Sequence, residues 1–297
     1  MRHLFFTLLL SAPLAFADAI DEARDLLLRH RQITGLVARI DAFSATFVGL
    51  PYGDGGPLGE GPTGRYDQDP LFRFDTFDCT TYVETVLSLA RARDAADFAV
   101  RMDEIRYERG VVDYVTRNHF PSLDWVPNNI TAGFFTDATR LLAPSGVVQI
   151  ARALINKPNY YAFMKPEWLR VPGLTPEQRE QRTAEWRAEG ARFTAVEATM
   201  DFVPIDWILS NPTWLQRLRT GMVVNFVRPN WDLRSLIGTH MNVSHQGLII
   251  RRGAEVLLRH ASSSGNRRVT EIPLLDYLQP FRGHATLKGL NFLTTLE

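Results

Sequence analysis

The 297-residue chain contains one cysteine, Cys79. A single thiol excludes an intramolecular disulfide. No charge of either sign is in excess, since Lys plus Arg and Asp plus Glu both total 33. Such a balance argues against a nucleic-acid-binding surface. No apolar run reaches the roughly 20 residues that a membrane-spanning helix needs. No cysteine follows the small residues at Ala15 and Ala17, which excludes a lipoprotein anchor there. Metal binding by His240, His245, His260 and Cys79 is conceivable, but no pair shows a familiar zinc-ligand spacing, and no cofactor is expected. Internal repeats, low-complexity tracts and linkers are also missing, and the chain from residue 18 to 297 reads as one domain.

What is present begins with "MRHLFFTLLLSAPLAFADA". A basic start at Arg2, an uncharged apolar stretch from Leu4 and small residues before Asp18 make the pattern of a secretory signal peptide, residues 1–17. The expectation is export, most plausibly to a bacterial periplasm. A lone thiol in such an oxidising compartment is either an inert, buried small hydrophobe or a reactive group.

From Asp18 to about Val48 the apolar residues fall at helical spacing, which predicts one or two amphipathic helices. "GLPYGDGGPLGEGPTGRYDQDP" is too dense in Gly and Pro for helix or strand and predicts a long loop. Asp78 is placed to cap a helix that begins at Cys79, and Asp94 to start another that ends near Tyr107. Residues 136–214 carry mostly helical signals and predict a helical insertion, with a capping box at Thr175 and Gln178. After Gly221 the segments "GMVVNFVR", "MNVSHQGLIIRR", "AEVLLRHASS" and "RRVTEIP" read as successive antiparallel strands, with "LNFLTTL" as a last one after a short "PLLDYL" helix. Helices first and a sheet afterwards predict an α+β fold.

Cys79 in the first turn of a helix would face unpaired N–H groups and the positive end of the helix dipole, which lowers a thiol's pKa and favours the nucleophilic thiolate. A base is then needed. Period-two alternation in "MNVSHQGLII" puts Val243, His245, Gly247 and Ile249 on one face. Gly247 leaves room beside the imidazole, and the next strand could bring His260 next to His245 to hold its ring and tautomer. His240 faces the other way and is set aside. Taken singly, each histidine is more often structural than catalytic. In "RNHFPSLDWVPNN", Trp125 could offer a stacking face to a sugar, with His119, Asp124 and Asn128 as hydrogen-bonding partners, or the segment could be a structural loop.

"FDCTTYVETVLSLA", "VSHQGLII" and "LLRHASSSG", in that order, resemble the N-acetylmuramoyl-L-alanine amidase-like branch of the NlpC superfamily of papain-like cell-wall cysteine amidases and peptidases. "LDWVPNN" and "PLLDYL" extend the resemblance over most of the chain. It implies a papain-like NlpC-type fold, N-terminal helices packed on a C-terminal antiparallel sheet. It also implies that Cys79 attacks an amide, that His245 is the base and that His260 orients it. The cysteine precedes the histidine here, unlike the permuted lipid acyltransferase relatives. "GLPYGDGG" resembles a Gly-x-Pro-Tyr element whose tyrosine would put the Tyr52 hydroxyl near the developing oxyanion. Its Gly- and Pro-rich continuation departs from the compact family loop. Asp78 would be both helix cap and polar wall of the cleft.

The resemblance implies an exported cysteine amidase whose partner is peptidoglycan or a muropeptide and whose target is the amide between N-acetylmuramic acid and L-alanine. The alternatives are cleavage between D-glutamate and the diamino acid of the stem peptide, and a non-catalytic wall-binding protein.

Overall fold

The computed structural model describes residues 11–54 and 56–296. Residues 1–10 of the expected leader lie outside the described residues. No described helix is long and apolar enough to cross a membrane.

Four helices come first: α1 (Ser11–Arg29), α2 (Leu36–Thr46), α3 (Cys79–Arg91) and α4 (Ala95–Arg106). α3 and α4 start where the sequence predicts. The Asp78 carboxylate accepts from the Thr81 N–H at 2.7 Å while the Thr81 hydroxyl accepts from the Asp78 N–H at 2.9 Å, a reciprocal cap. The Asp94 carboxylate accepts from the Asp97 N–H at 2.9 Å. The far end of α3 is also held, because the Arg39 guanidinium donates to the carbonyls of Leu89, Ala90 and Ala92. Between α2 and α3 the Gly- and Pro-rich stretch is a loop, pinned by isolated bridges such as Tyr52 to Phe77.

The sheet has eight strands: β1 (Phe135–Asp137), β2 (Gln149–Asn156), β3 (Ala195–Pro204), β4 (Val223–Asp232), β5 (His240–Arg252), β6 (Glu255–Ala261), β7 (Val269–Pro273) and β8 (Gly289–Thr295). Their order is β2-β3-β8-β4-β5-β6-β7, with β1 also paired to β8. Every pair is antiparallel. All five strands expected after residue 221 form. Residues 136–214 depart from the expected helical insertion. They contain the β2/β3 hairpin, paired from Gln149↔Phe202 to Asn156↔Ala195, and the helix Pro176–Gly190 lies between its strands. The pairing joins residues from 39 (Asn156↔Ala195) to 53 (Gln149↔Phe202) positions apart, so local helical signals could not reveal it.

The sheet is covered on both faces. Val223, Val227, Val243, Leu248 and Leu293 pack against α1 to α4. Val224, Phe226, Ile249, Leu258 and Phe292 pack against Ile205–Ser210 and Leu274–Leu278. Each fully buried Val, Leu or Phe contributes roughly 1.5–3 kcal/mol. The fold is therefore α+β, a mixed helical layer on an antiparallel sheet.

One detail of register differs from simple alternation. Phe226 pairs with His245 but Val227 with Val243, so Ser244 is an extra residue in β5. Such a bulge turns every side chain on one side of it to the opposite face. Val243 therefore lies with the α3 side of the core, while His245, Gly247 and Ile249 face away from it. The expectation that Val243 and His245 share a face is corrected accordingly.

Candidate active site

β5 and β6 pair from Arg252↔Glu255 only as far as Leu248↔Arg259. Beyond that point His260 and Ala261 pair with β7 alone. The ladder opens next to His245, and the first turn of α3 sits at the opening. The Thr80 hydroxyl donates to the Gln246 side-chain oxygen at 2.7 Å, and the Gln246 backbone N–H faces the Cys79 sulfur. Across the same opening His245 Nε2 and His260 Nδ1 are 2.7 Å apart. Gly247 makes this packing possible, because a Cβ there would lie 3.0 Å from the His260 Cβ and 2.7 Å from Leu258.

Cys79 is half-buried, and its sulfur contacts the Thr80 hydroxyl at 3.9 Å. It makes no hydrogen bond to His245 in this structure. Hydrogen bonds of this kind are often long without substrate and tighten only in its complex. Burial pushes the thiol up to about 12, with the Asp78 carboxylate adding to the rise and the Gln246 and Thr80 donors opposing it. Desolvation thus outweighs the helix terminus, and the low thiol pKa expected from the sequence is corrected. Burial also holds His245 well below the ordinary imidazole range, reinforced by His260. The same cause lowers His260 to about 4. At neutral pH all three groups are uncharged.

Tyr52 stands on the same side. Its N–H donates to Arg267 O at 2.9 Å, the Arg267 guanidinium lies 5.3 Å over its ring, and burial raises its hydroxyl pKa, with Cys79 and Asp78 adding to the rise. Tyr277 is a member of the cluster that sequence reasoning missed. Its ring centroid is 5.1 Å from His260 and 6.4 Å from His245, and its hydroxyl is raised to about 12, first by burial and then by Cys79. The signal was the tyrosine within "PLLDYL". A cavity of about 240 Å³ adjoins these rings, lined among others by Phe226, Arg228, Trp231, His245, His260 and Tyr277.

Gln246 was also missed. It begins a buried polar chain: its side-chain N–H donates to Asn225 at 2.8 Å, Asn225 to Asn291 at 2.9 Å, and Asn291 to Asp137 at 2.8 Å and Thr139 at 2.9 Å. Through β5, β4 and β8 this chain fixes the residue beside His245.

His119, Asp124 and Trp125 do not join the cluster. Trp125 is fully buried, its Nε1 donating to Glu84 at 3.0 Å and its ring packing on Phe135 at 5.2 Å. It has no face to offer a sugar, and that expectation is corrected. Asp124 is buried in an ion pair with Lys157 at 2.7 Å and accepts from the Phe120 N–H. His119 Nε2 pairs with Tyr114 O at 2.9 Å, and its ring packs between Tyr114 and Tyr160. Asn128 donates to Asn118 at 2.6 Å. The segment is structural. Among the described residues no group of three or more His, Cys, Asp or Glu side chains is arranged to hold a metal ion.

A half-buried thiol at a helix start, a hydrogen-bonded histidine pair and a bounding cavity on an α+β scaffold make up an enzyme-like site. The chain belongs to the AmiA-like family, described as N-acetylmuramoyl-L-alanine amidase-like, which matches residues 42–284. A Legionella pneumophila str. Philadelphia 1 protein of the family DUF1460 is similar over 97% of both chains, with 35% identity and a TM-score of 0.91. An N-acetylmuramoyl-L-alanine amidase from Bacteroides uniformis shares the fold at 20% identity and a TM-score of 0.62, covering 88% of this chain and 99% of that one. A putative xylanase from Bacteroides fragilis does so at 24% identity and 0.57, covering 85% and 99%. Among curated proteins none matches.

Proposed function

We propose that the protein is a cysteine amidase of the NlpC superfamily, with a papain-like arrangement of helix and sheet. Its reaction is hydrolysis of the amide between the lactyl group of N-acetylmuramic acid and L-alanine in peptidoglycan or its fragments. The observation that carries this reading is the opening between β5 and β6, where the start of α3 is bonded to Gln246, the neighbour of His245, and His245 is paired with His260. Family membership supports the choice of bond.

Because thiol and imidazole both rest neutral, the proton moves as the bond forms rather than beforehand. His260 Nδ1 accepts from His245 Nε2–H, which fixes the tautomer and leaves the His245 Nδ1 lone pair as base. Nδ1 takes the Cys79 proton while sulfur adds to the carbonyl carbon. The oxyanion is held by the Cys79 backbone N–H and the Tyr52 hydroxyl. Collapse of the tetrahedral intermediate breaks the C–N bond, and the amine of L-alanine leaves with the proton from His245. Water then adds to the thioester, His245 takes its proton, and the muramic carboxylate and the thiol are released. Asp78 shapes the helix start that presents the sulfur.

The leader of residues 1–17 supports export, and we place the enzyme in a bacterial periplasm. Defined muropeptides incubated with the wild type and with Cys79→Ala, and weighed by mass spectrometry, test the proposal. The expected products are a free peptide beginning with L-alanine and a muramic acid fragment, from the wild type only. Products cut after D-glutamate would instead give the endopeptidase reading, and retention of the substrate uncut by both proteins would give the binding one.

A further inference from the structure

The cavity beside the histidine pair is lined by a cation, Arg228, that has no counter-charge among the described residues. Arg228 lies on β4 just after Val227, where the ladder to β5 is interrupted: Val227 pairs with Val243 and Trp231 with Met241, so three residues oppose Asn242 alone. Asn230 within this bulge has φ 51°, a left-handed conformation uncommon for a residue with a side chain. The bulge is held by the buried Asn242, whose side-chain oxygen accepts from the Asn230 N–H at 3.2 Å and whose side-chain N–H donates to Ala198 O at 3.0 Å. A bulge of this kind re-aims the side chains it carries. Here Arg228 and Trp231 both line the cavity that His245, His260 and Tyr277 bound.

Arg228 is half-buried, with its guanidinium 5.2 Å over the Trp231 ring and one N–H donated to the Thr286 hydroxyl. Its Nε is buried without a hydrogen-bond partner among the described residues. Three other arginines share that feature, but each is neutralised: Arg101 by Asp97 and Glu104, Arg106 by Glu84, Arg117 by Glu60 and Asp67. Arg228 has no carboxylate partner among the described residues. With Nη1 engaged by Thr286 and Nε buried, Nη2 makes no hydrogen bond among the described residues, and a charge-assisted bond from it to a carboxylate in the cavity would give the cation a counter-charge.

We infer that Arg228, with Trp231 beneath it, is the subsite for a carboxylate carried by the substrate next to the bond that is cut. The inference rests on the amidase reading for the identity of that substrate. On the muramic side the carboxyl group is consumed in the amide, so the free carboxylate belongs to the peptide, at the acidic residue after L-alanine. The enzyme therefore selects acidic stem peptides over those whose carboxylate is amidated.

The test compares N-acetylmuramoyl-L-alanyl-D-glutamate whose γ-carboxyl is blocked as a methylamide, leaving the α-carboxylate free, with the counterpart in which the α-carboxyl is an amide as well. Binding is measured by calorimetry on Cys79→Ala, with and without Arg228→Met, and cleavage is measured separately on the wild type. The expected result is about tenfold tighter binding of the acid than of the amide, falling to less than about threefold once Arg228 is replaced. Arg228→Lys, which keeps the charge but not the planar fork, is expected to lie between, and serves if the methionine variant does not fold. Equal binding of acid and amide by Cys79→Ala, or a ratio unchanged by a folded Arg228 variant, overturns the inference. Absence of cleavage by the wild type overturns the amidase reading instead, and the binding ratio still decides the role of Arg228.

Discussion

Two stretches of this chain carry histidine, aromatic rings and polar partners, and they end in opposite circumstances. In His119–Trp125 the indole is taken up by Glu84 and the carboxylate by Lys157, while the imidazole is held at one nitrogen by a carbonyl and packed between two tyrosine rings. Around His245 the groups are held but not used up. One ring nitrogen is fixed by His260, the thiol is met only by the Thr80 and Gln246 donors, and a cavity meets the rings. A cluster can act on a ligand only where the fold leaves bonding capacity over, and here the parting of β5 from β6 does so.

The comparison can be broken in several ways. Replacing Cys79 with alanine should lower kcat for muramoyl-L-alanine cleavage by at least about 10³-fold. Circular dichroism should show the fold unchanged; residual activity near wild type would remove the thiol from the chemistry. If His260 acts through His245 as proposed, His260→Ala should cost about 10²-fold in kcat with little change in KM. A rise in KM alone would make it a substrate contact.

The pH profile sharpens the same side. As the proposed base, His245 would act only when neutral, and burial disfavours its cation, so more acid than usual is needed to protonate it. The acid limb of kcat/KM should therefore lie below about pH 6.5, the unperturbed imidazole value. With the thiol raised to about 12, no ionisation limb should appear near about pH 8.5, where a free cysteine titrates. A limb at either of those ordinary values would mean that the groups are not desolvated as described.

On the closed side, Trp125→Phe removes a hydrogen bond to a buried carboxylate and should destabilise the protein by about 1–3 kcal/mol, measured by denaturant unfolding. Its KM should stay that of the wild type. A raised KM with unchanged stability would show that the indole reaches substrate after all.

Much of the working side was legible in the sequence because its signals are local. An aspartate three residues before a threonine announces the start of α3, and alternation around His245 announces a strand. The pairing of His260 with His245 followed from the two being on successive strands. What was not legible depends on distant partners. The indole of Trp125 is sealed by Glu84, 41 positions away. The β2/β3 hairpin closes around a helix, so each strand's partner lies far along the chain. The bulge at Ser244 exists only in relation to β4, so no reading of β5 alone could place Val243 correctly. The raised thiol pKa likewise reflects burial by the fold, where the sequence showed only the helix start.

The central claim is that Cys79 and His245 work as one unit, and the most direct test is a double-variant cycle on kcat for a defined muramoyl-L-alanine peptide. If they do, Cys79→Ala/His245→Ala should be no slower than the slower single variant, because the first loss leaves the second group nothing to act on. Losses that multiply in the double variant would contradict it.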